Sequence, residues 1–148
     1  MKKLIILVAA ILFGAASLNA QSVFDGSKLC EYTIVKSESL GGAAITAGNE
    51  IVGFSSGKIS GKITFNSKKK TIFFKDRTIK YKDSALKYEE FENSRLTSAN
   101  ATLVENDGDV IFQIIEDYRK NSINILIQWP DYSASRIFAT LKESKALR

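Results

Sequence analysis

"KISGKITFNSKKKTIFFKDRTIKYK", Lys58–Lys82, decides how the rest of the chain is read. Ile59, Gly61, Ile63 and Phe65 alternate with Lys58, Ser60, Lys62, Thr64 and Asn66. Successive side chains of an extended backbone point to opposite faces, so this spacing predicts a strand with one oily and one wet side. Ser67–Lys70 and Lys75–Arg77 read as turns, which leaves Thr71–Phe74 and Thr78–Lys82 as two further short strands. The stretch carries nine Lys or Arg residues and one acid, Asp76, in a chain whose net charge is only +5.

The same period of two recurs outward from this stretch. "SINILIQW" places Ile123, Ile125, Ile127 and Trp129 on one face. Leu29–Lys36, Glu50–Phe54, Leu86–Glu92, Ala99–Glu105, Asp109–Asp117 and Ser135–Lys142 read as strands too. Asn106-Asp107-Gly108 predicts a tight hairpin, because Asp-Gly accepts the positive φ angles such turns demand. Arg119–Asn121 and Pro130–Ser133 are further turns, and Pro130, the sole proline, suits the second position of one. Ser37–Asn49, rich in Gly, Ala, Ser and Thr, reads as a mobile loop or lid. About ten short strands with no room for crossover helices predict an all-β antiparallel meander. Closing it into a barrel removes its exposed edges; a two-sheet β-sandwich is the alternative.

Residues 1–20 stand apart. Lys2 and Lys3 precede an apolar run, Leu4–Phe13, and small residues up to Ala20, the pattern of a cleaved secretory signal peptide. The run is shorter than the roughly 20 residues a membrane-spanning helix needs. The "SLNAQ" ending resembles export signals of Gram-negative bacteria. Residues 21–148 are then a single β-domain, secreted or periplasmic, with no stable membrane insertion after cleavage. Cys30 is the only cysteine, so no internal disulfide forms. It shares a strand face with Tyr32 and Ile34, which predicts a buried thiol.

In size and meander the chain resembles the lipocalin-like group, whose members hold small apolar molecules inside a barrel. The Gly-x-Trp signature of true lipocalins is missing from "FDGSKLCEY", so the resemblance implies architecture and no binding residues.

The chemistry is sparse. There is no histidine, which removes the commonest general base and metal ligand. No phosphate loop, nucleophile elbow or dinucleotide fingerprint is present. Glu89 with Glu90, and Glu116 with Asp117, are adjacent on strands and face opposite ways, so neither pair builds a local acid–base site. The reading is therefore non-catalytic, with no cofactor and no metal.

Two binding surfaces follow. Phe65, Phe74, Tyr81, Phe112 and Trp129 are the candidates to line a cavity for a small apolar or amphipathic ligand. Lys58, Lys62, Lys68, Lys69, Lys70, Lys80 and Lys82 are the candidates for an anion-binding face that takes a partner protein or acidic glycan. An aromatic rim at Trp129–Tyr132 serves the same alternative. Nucleic acid is not expected, because the aromatics alternate with the lysines and only Phe73 shares their side. A solvated face is the plainer reading of the lysines: a hairpin joining Thr78–Lys82 to "LKYEEFE" would set Lys80 opposite Glu89.

Overall fold

The computed structural model describes residues 22–40, 55–57 and 61–148. Ten strands run in chain order: β1 (Lys28–Leu40), β2 (Ser55–Gly57), β3 (Lys62–Asn66), β4 (Thr71–Phe74) and β5 (Arg77–Lys80) come first. A 3-10 turn at Asp83–Ala85 leads to β6 (Lys87–Glu90), β7 (Ser94–Leu103), β8 (Gly108–Asp117), β9 (Ser122–Gln128) and β10 (Ala134–Ala146). Every pairing is antiparallel, and β1-β3-β4-β5-β7-β8-β9-β10 closes on itself through β10 and β1. The fold is thus a closed eight-stranded barrel, not a sandwich. The two remaining strands extend it: β2 pairs the far half of β1, and β6 pairs the half of β7 that β5 leaves open.

Alternation places the core. Ile63, Phe65, Ile72 and Phe74 point inward, as do Phe112, Ile114 and the three isoleucines of β9. Phe73, between two inward residues, is 46% exposed on the outside. Cys30, Tyr32 and Ile34 are buried together as their spacing predicts. The turns bear the positive φ angles their residues allow: Asp107 at 56°, Asn121 at 49°, Lys70 at 59° and Tyr132 at 68°. The Asn106 side chain caps its turn by accepting the Gly108 N–H at 2.8 Å.

Three expectations are corrected. The first strand does not stop at Lys36: Ser37–Leu40 continue β1 against Ala134–Ile137, so the supposed loop loses its first residues. Two register shifts, at Glu31/Tyr32 and Ile34/Lys36, bend β1 enough to span the barrel. The strand expected from Ala99 begins earlier, at Ser94, because β8 pairs with it along the whole of Ser94–Leu103. The hairpin between Thr78–Lys82 and the acidic strand does not form either. Lys80 lies opposite Thr71 and Thr102, while Glu89 lies opposite Leu96. The long β7 offers one edge to both segments in succession, and the 3-10 turn carries the chain from one to the next. Lys58, Ile59, the expected strand Glu50–Phe54 and the rest of the expected lid lie outside the described residues.

The barrel has two distinct ends. At the base lie the start of β1, the β3–β4 and β8–β9 turns and the end of β10. At the mouth lie the β4–β5, β7–β8 and β9–β10 turns. The segment Ser22–Ser27 crosses the base. Phe24 inserts its ring among Phe65, Tyr81 and Phe112, with centroids 5.3–6.1 Å apart.

Candidate functional site

The five aromatics assigned to a cavity are all buried, and they divide into two groups. Phe65, Tyr81 and Phe112 sit around the inserted Phe24 and fill the base half of the core. Phe74 and Trp129 stack on each other at the mouth, 6.4 Å apart and 14° from parallel. Closure of the barrel brings them together across its interior: Phe74 closes β4 facing inward, and Trp129 follows β9 on the face of Ile127.

The mouth carries the more suggestive chemistry. A recess of about 360 Å³ opens there, lined by Phe74, Lys75, Arg77, Trp129 and the serines Ser39, Ser133 and Ser135 beside Ala134. The Arg77 guanidinium lies 4.5 Å from the Trp129 ring centre, and the Lys75 ammonium lies 5.4 Å from that of Phe74. Such cation–ring contacts hold the charges over the aromatic floor without neutralising them. Neither cation forms a salt bridge among the described residues. The Trp129 indole N–H donates to Ser135 Oγ at 2.9 Å, which fixes the ring plane. Asp131 stands outside the lining. The Ser133 hydroxyl and N–H both donate to its carboxylate and, with Arg77 nearby, hold its carboxyl below the ordinary range. Tyr132, 69% exposed, marks the rim, whereas Trp129 is only 4% exposed and belongs to the floor.

The basic stretch is less coherent. Lys62 bonds Glu31 at 3.2 Å, and Lys70 bonds Asp83 at 3.2 Å. Lys62, then Lys142, lowers the Glu31 carboxyl below its usual range, the mark of a satisfied surface network. The Lys68 ammonium donates to the Arg148 carbonyl. Lys69, Lys80 and Lys82 are exposed, and the hollow beside Lys80 and Lys82 also contains Asp107 and Asp109. The structure gathers Lys68, Lys69, Lys70, Lys80 and Lys82 near the base and sets Lys62 apart on the β3 outer face. Lys58 lies outside the described residues.

A second cluster, at the base, was missed in the sequence. Glu116 is 3% exposed and points inward after Val110, Phe112 and Ile114. The Ser22 hydroxyl donates to its Oε1 at 2.5 Å, and the Val23 N–H donates to its Oε2 at 2.9 Å. Burial raises the Glu116 carboxyl above its ordinary value, opposed by those two donors and by the charges of Arg95 and Lys28. Arg95, its cross-strand neighbour, bonds Asp25 at 3.1 Å, also contacts Glu90, and lies over the Tyr88 ring at 4.6 Å. A recess of about 400 Å³ adjoins this cluster, lined in part by Cys30, Tyr32, Glu116, Tyr118 and Ser144. The signal was legible: a carboxylate in the inward register of an apolar strand. Among the described residues, no group of three or more Cys, Asp or Glu could hold a metal ion.

Comparison with protein-family models, curated proteins and solved structures found no match.

Proposed function

We propose that the protein is an exported, non-catalytic binding barrel that takes a small amphipathic ligand with an anionic head at its mouth. The lining of the mouth supports this reading: among the described residues, two cations and no carboxylate line the recess over a Phe74–Trp129 floor. An apolar tail would cover the aromatic floor, while its head would meet Arg77, Lys75 and the serine hydroxyls. The volume, about 360 Å³, suits a short chain and not a large multi-ring molecule. Export is supported by the signal-peptide pattern of residues 1–20, whose cleavage would deliver the mature domain to the periplasm or outside the cell. The satisfied lysines at Lys62 and Lys70 weigh against a broad anionic partner on the outer face.

Trp129 is the only tryptophan, so its fluorescence reports this site alone. Titration with decanoate should shift the emission saturably, and decanol should act at least about tenfold more weakly, since one charge-assisted contact is lost. Arg77→Ala should weaken decanoate and leave decanol unaffected. Equal responses to both compounds, or none, would overturn the reading.

A further inference from the structure

The N-terminal segment behaves as a peptide bound in a groove. Its four recognition elements act in succession. The Ser22 hydroxyl and the Val23 N–H meet the two Glu116 oxygens. The Phe24 ring enters a socket of Phe65, Tyr81 and Phe112. The Asp25 carboxylate meets Arg95 at 3.1 Å. All the side-chain partners lie far away in sequence, on β3, β7 and β8 and beside the end of β5. Within the segment the Phe24 N–H donates to Ser22 Oγ at 3.2 Å and the Asp25 N–H to the Ser22 carbonyl at 3.1 Å, so it is a tight turn whose side chains are held by the barrel.

A natural hinge follows it. Gly26 is exposed, adopts φ +70°, and has open space where a side chain would stand. Beyond it the chain is fixed again, because the Ser27 carbonyl accepts the Leu147 N–H at 2.9 Å and the Lys28 N–H donates to Ser67 Oγ at 2.8 Å. The four residues before Gly26 can therefore leave without disturbing β1. Withdrawal would expose an aromatic socket flanked by a carboxylate on one side and a guanidinium on the other.

We infer that the base of the barrel is a peptide-reading groove, occupied in the monomer by Ser22–Asp25. A partner polypeptide with a hydroxyl residue, a small apolar residue in place of the buried Val23, an aromatic and an acid in that order takes it when the resident segment withdraws. Charge fits this occupant: the aromatic-then-acid order delivers a carboxylate to Arg95, and a reversed order would bring it against Glu116. The groove lies at the opposite end from Trp129, so this inference does not depend on the ligand proposed for the mouth.

The test uses the full chain bearing Phe24→Ala, which empties the socket and leaves the groove intact. Added peptide Ser-Val-Phe-Asp-Gly should raise the melting midpoint saturably. The peptide with Ala in place of Phe should bind at least about a hundredfold more weakly, as expected for loss of a buried ring. Exchanging the peptide Asp for Asn should weaken binding by a smaller factor, and Arg95→Ala in the receptor should erase that difference. Should Phe24→Ala fail to fold alone, folding induced only by the Phe peptide supports the groove. In either case Phe24→Leu, which keeps most of the apolar volume, is measured in the same way. Equal shifts with the Phe and Ala peptides, or none, in a folded receptor would overturn the inference.

Discussion

The two ends of this barrel solve the same problem differently. At the base, the chain supplies its own stopper: Phe24 completes an aromatic cluster, and Glu116 and Arg95 hold the backbone and carboxylate on either side. At the mouth, the stack of Phe74 and Trp129 closes the core with cations above it; each end keeps a recess, about 360 Å³ over these rings and about 400 Å³ beside Glu116. A barrel of eight strands is wide enough for side chains to fill or for one small ligand. Here large inward residues fill the middle, so the proposed recognition is assigned to the ends. The difference teaches that burial of an aromatic says little about its role. Phe112 and Trp129 are both buried, yet the first packs against Phe24 and Tyr81 while the second lines a recess.

If the base is the structural end, its substitutions dominate stability. Phe24→Ala should cost about 3–5 kcal/mol in urea unfolding, against less than about 0.5 kcal/mol for Tyr132→Ala at the rim. Similar losses for both would erase the distinction between the ends. Glu116→Ala should come next, at about 1–3 kcal/mol, because the Ser22 hydroxyl and Val23 N–H lose their acceptor.

The pH dependence of Glu116 has a definite sign. Its carboxyl is raised on folding, by burial first, above the ordinary value of 4.5. The folded state therefore binds the proton more tightly than the unfolded chain. The stability this provides is complete below the ordinary value and is lost as pH rises through the elevated one. Arg95, Lys28, Cys30, Tyr32 and Tyr118 all lie in the electrostatic field of this carboxyl, and of these only Arg95 and Lys28 are positive. Glu116→Gln keeps an acceptor for Val23 and should flatten that decline in a melting series across acidic and neutral pH. An unaltered profile would assign the decline to another group.

At the mouth, Arg77→Ala should cost only about 0.5–1 kcal/mol of stability, the range of one exposed cation–ring contact. A loss as large as that of Phe24→Ala would make Arg77 a structural residue. Smallest of all should be the basic turn. Replacing Lys68, Lys69 and Lys70 with Ser should change stability by less than about 1 kcal/mol and leave heparin retention unchanged. Lost retention would restore the anionic face as a binding surface.

Much of the barrel was legible because its signal is local. Ile63 and Phe65 alternate cleanly with Lys62, Thr64 and Asn66, and Asp107-Gly108 marks its hairpin without tertiary help. Pairing beyond neighbours was not legible. Nothing local says that β7 shares one edge between β5 and β6, so Lys80 was assigned the wrong partner. Ser37–Leu40 looked like a loop because Ser, Glu and Leu carry no clear period; their strand state comes from β10 opposite them. The mouth was half visible. Phe74 and Trp129 stood out as aromatics, whereas Lys75 and Arg77 read as turn residues until the β4–β5 turn placed them above the rings. The base cluster required Ser22–Asp25 to meet Arg95 and Glu116 across long separations, which spacing alone does not encode.

The central claim is that the middle of the barrel is solid and that the amphipathic ligand belongs to the mouth. Backbone and side-chain NMR shifts, followed residue by residue during a decanoate titration, address it most directly. The account predicts saturable shifts at Phe74, Lys75, Arg77, Trp129 and Ser133–Ser135, with Phe65, Tyr81 and Phe112 unmoved. Shifts centred on Phe65, Tyr81 and Phe112 would show a ligand inside the barrel and contradict it.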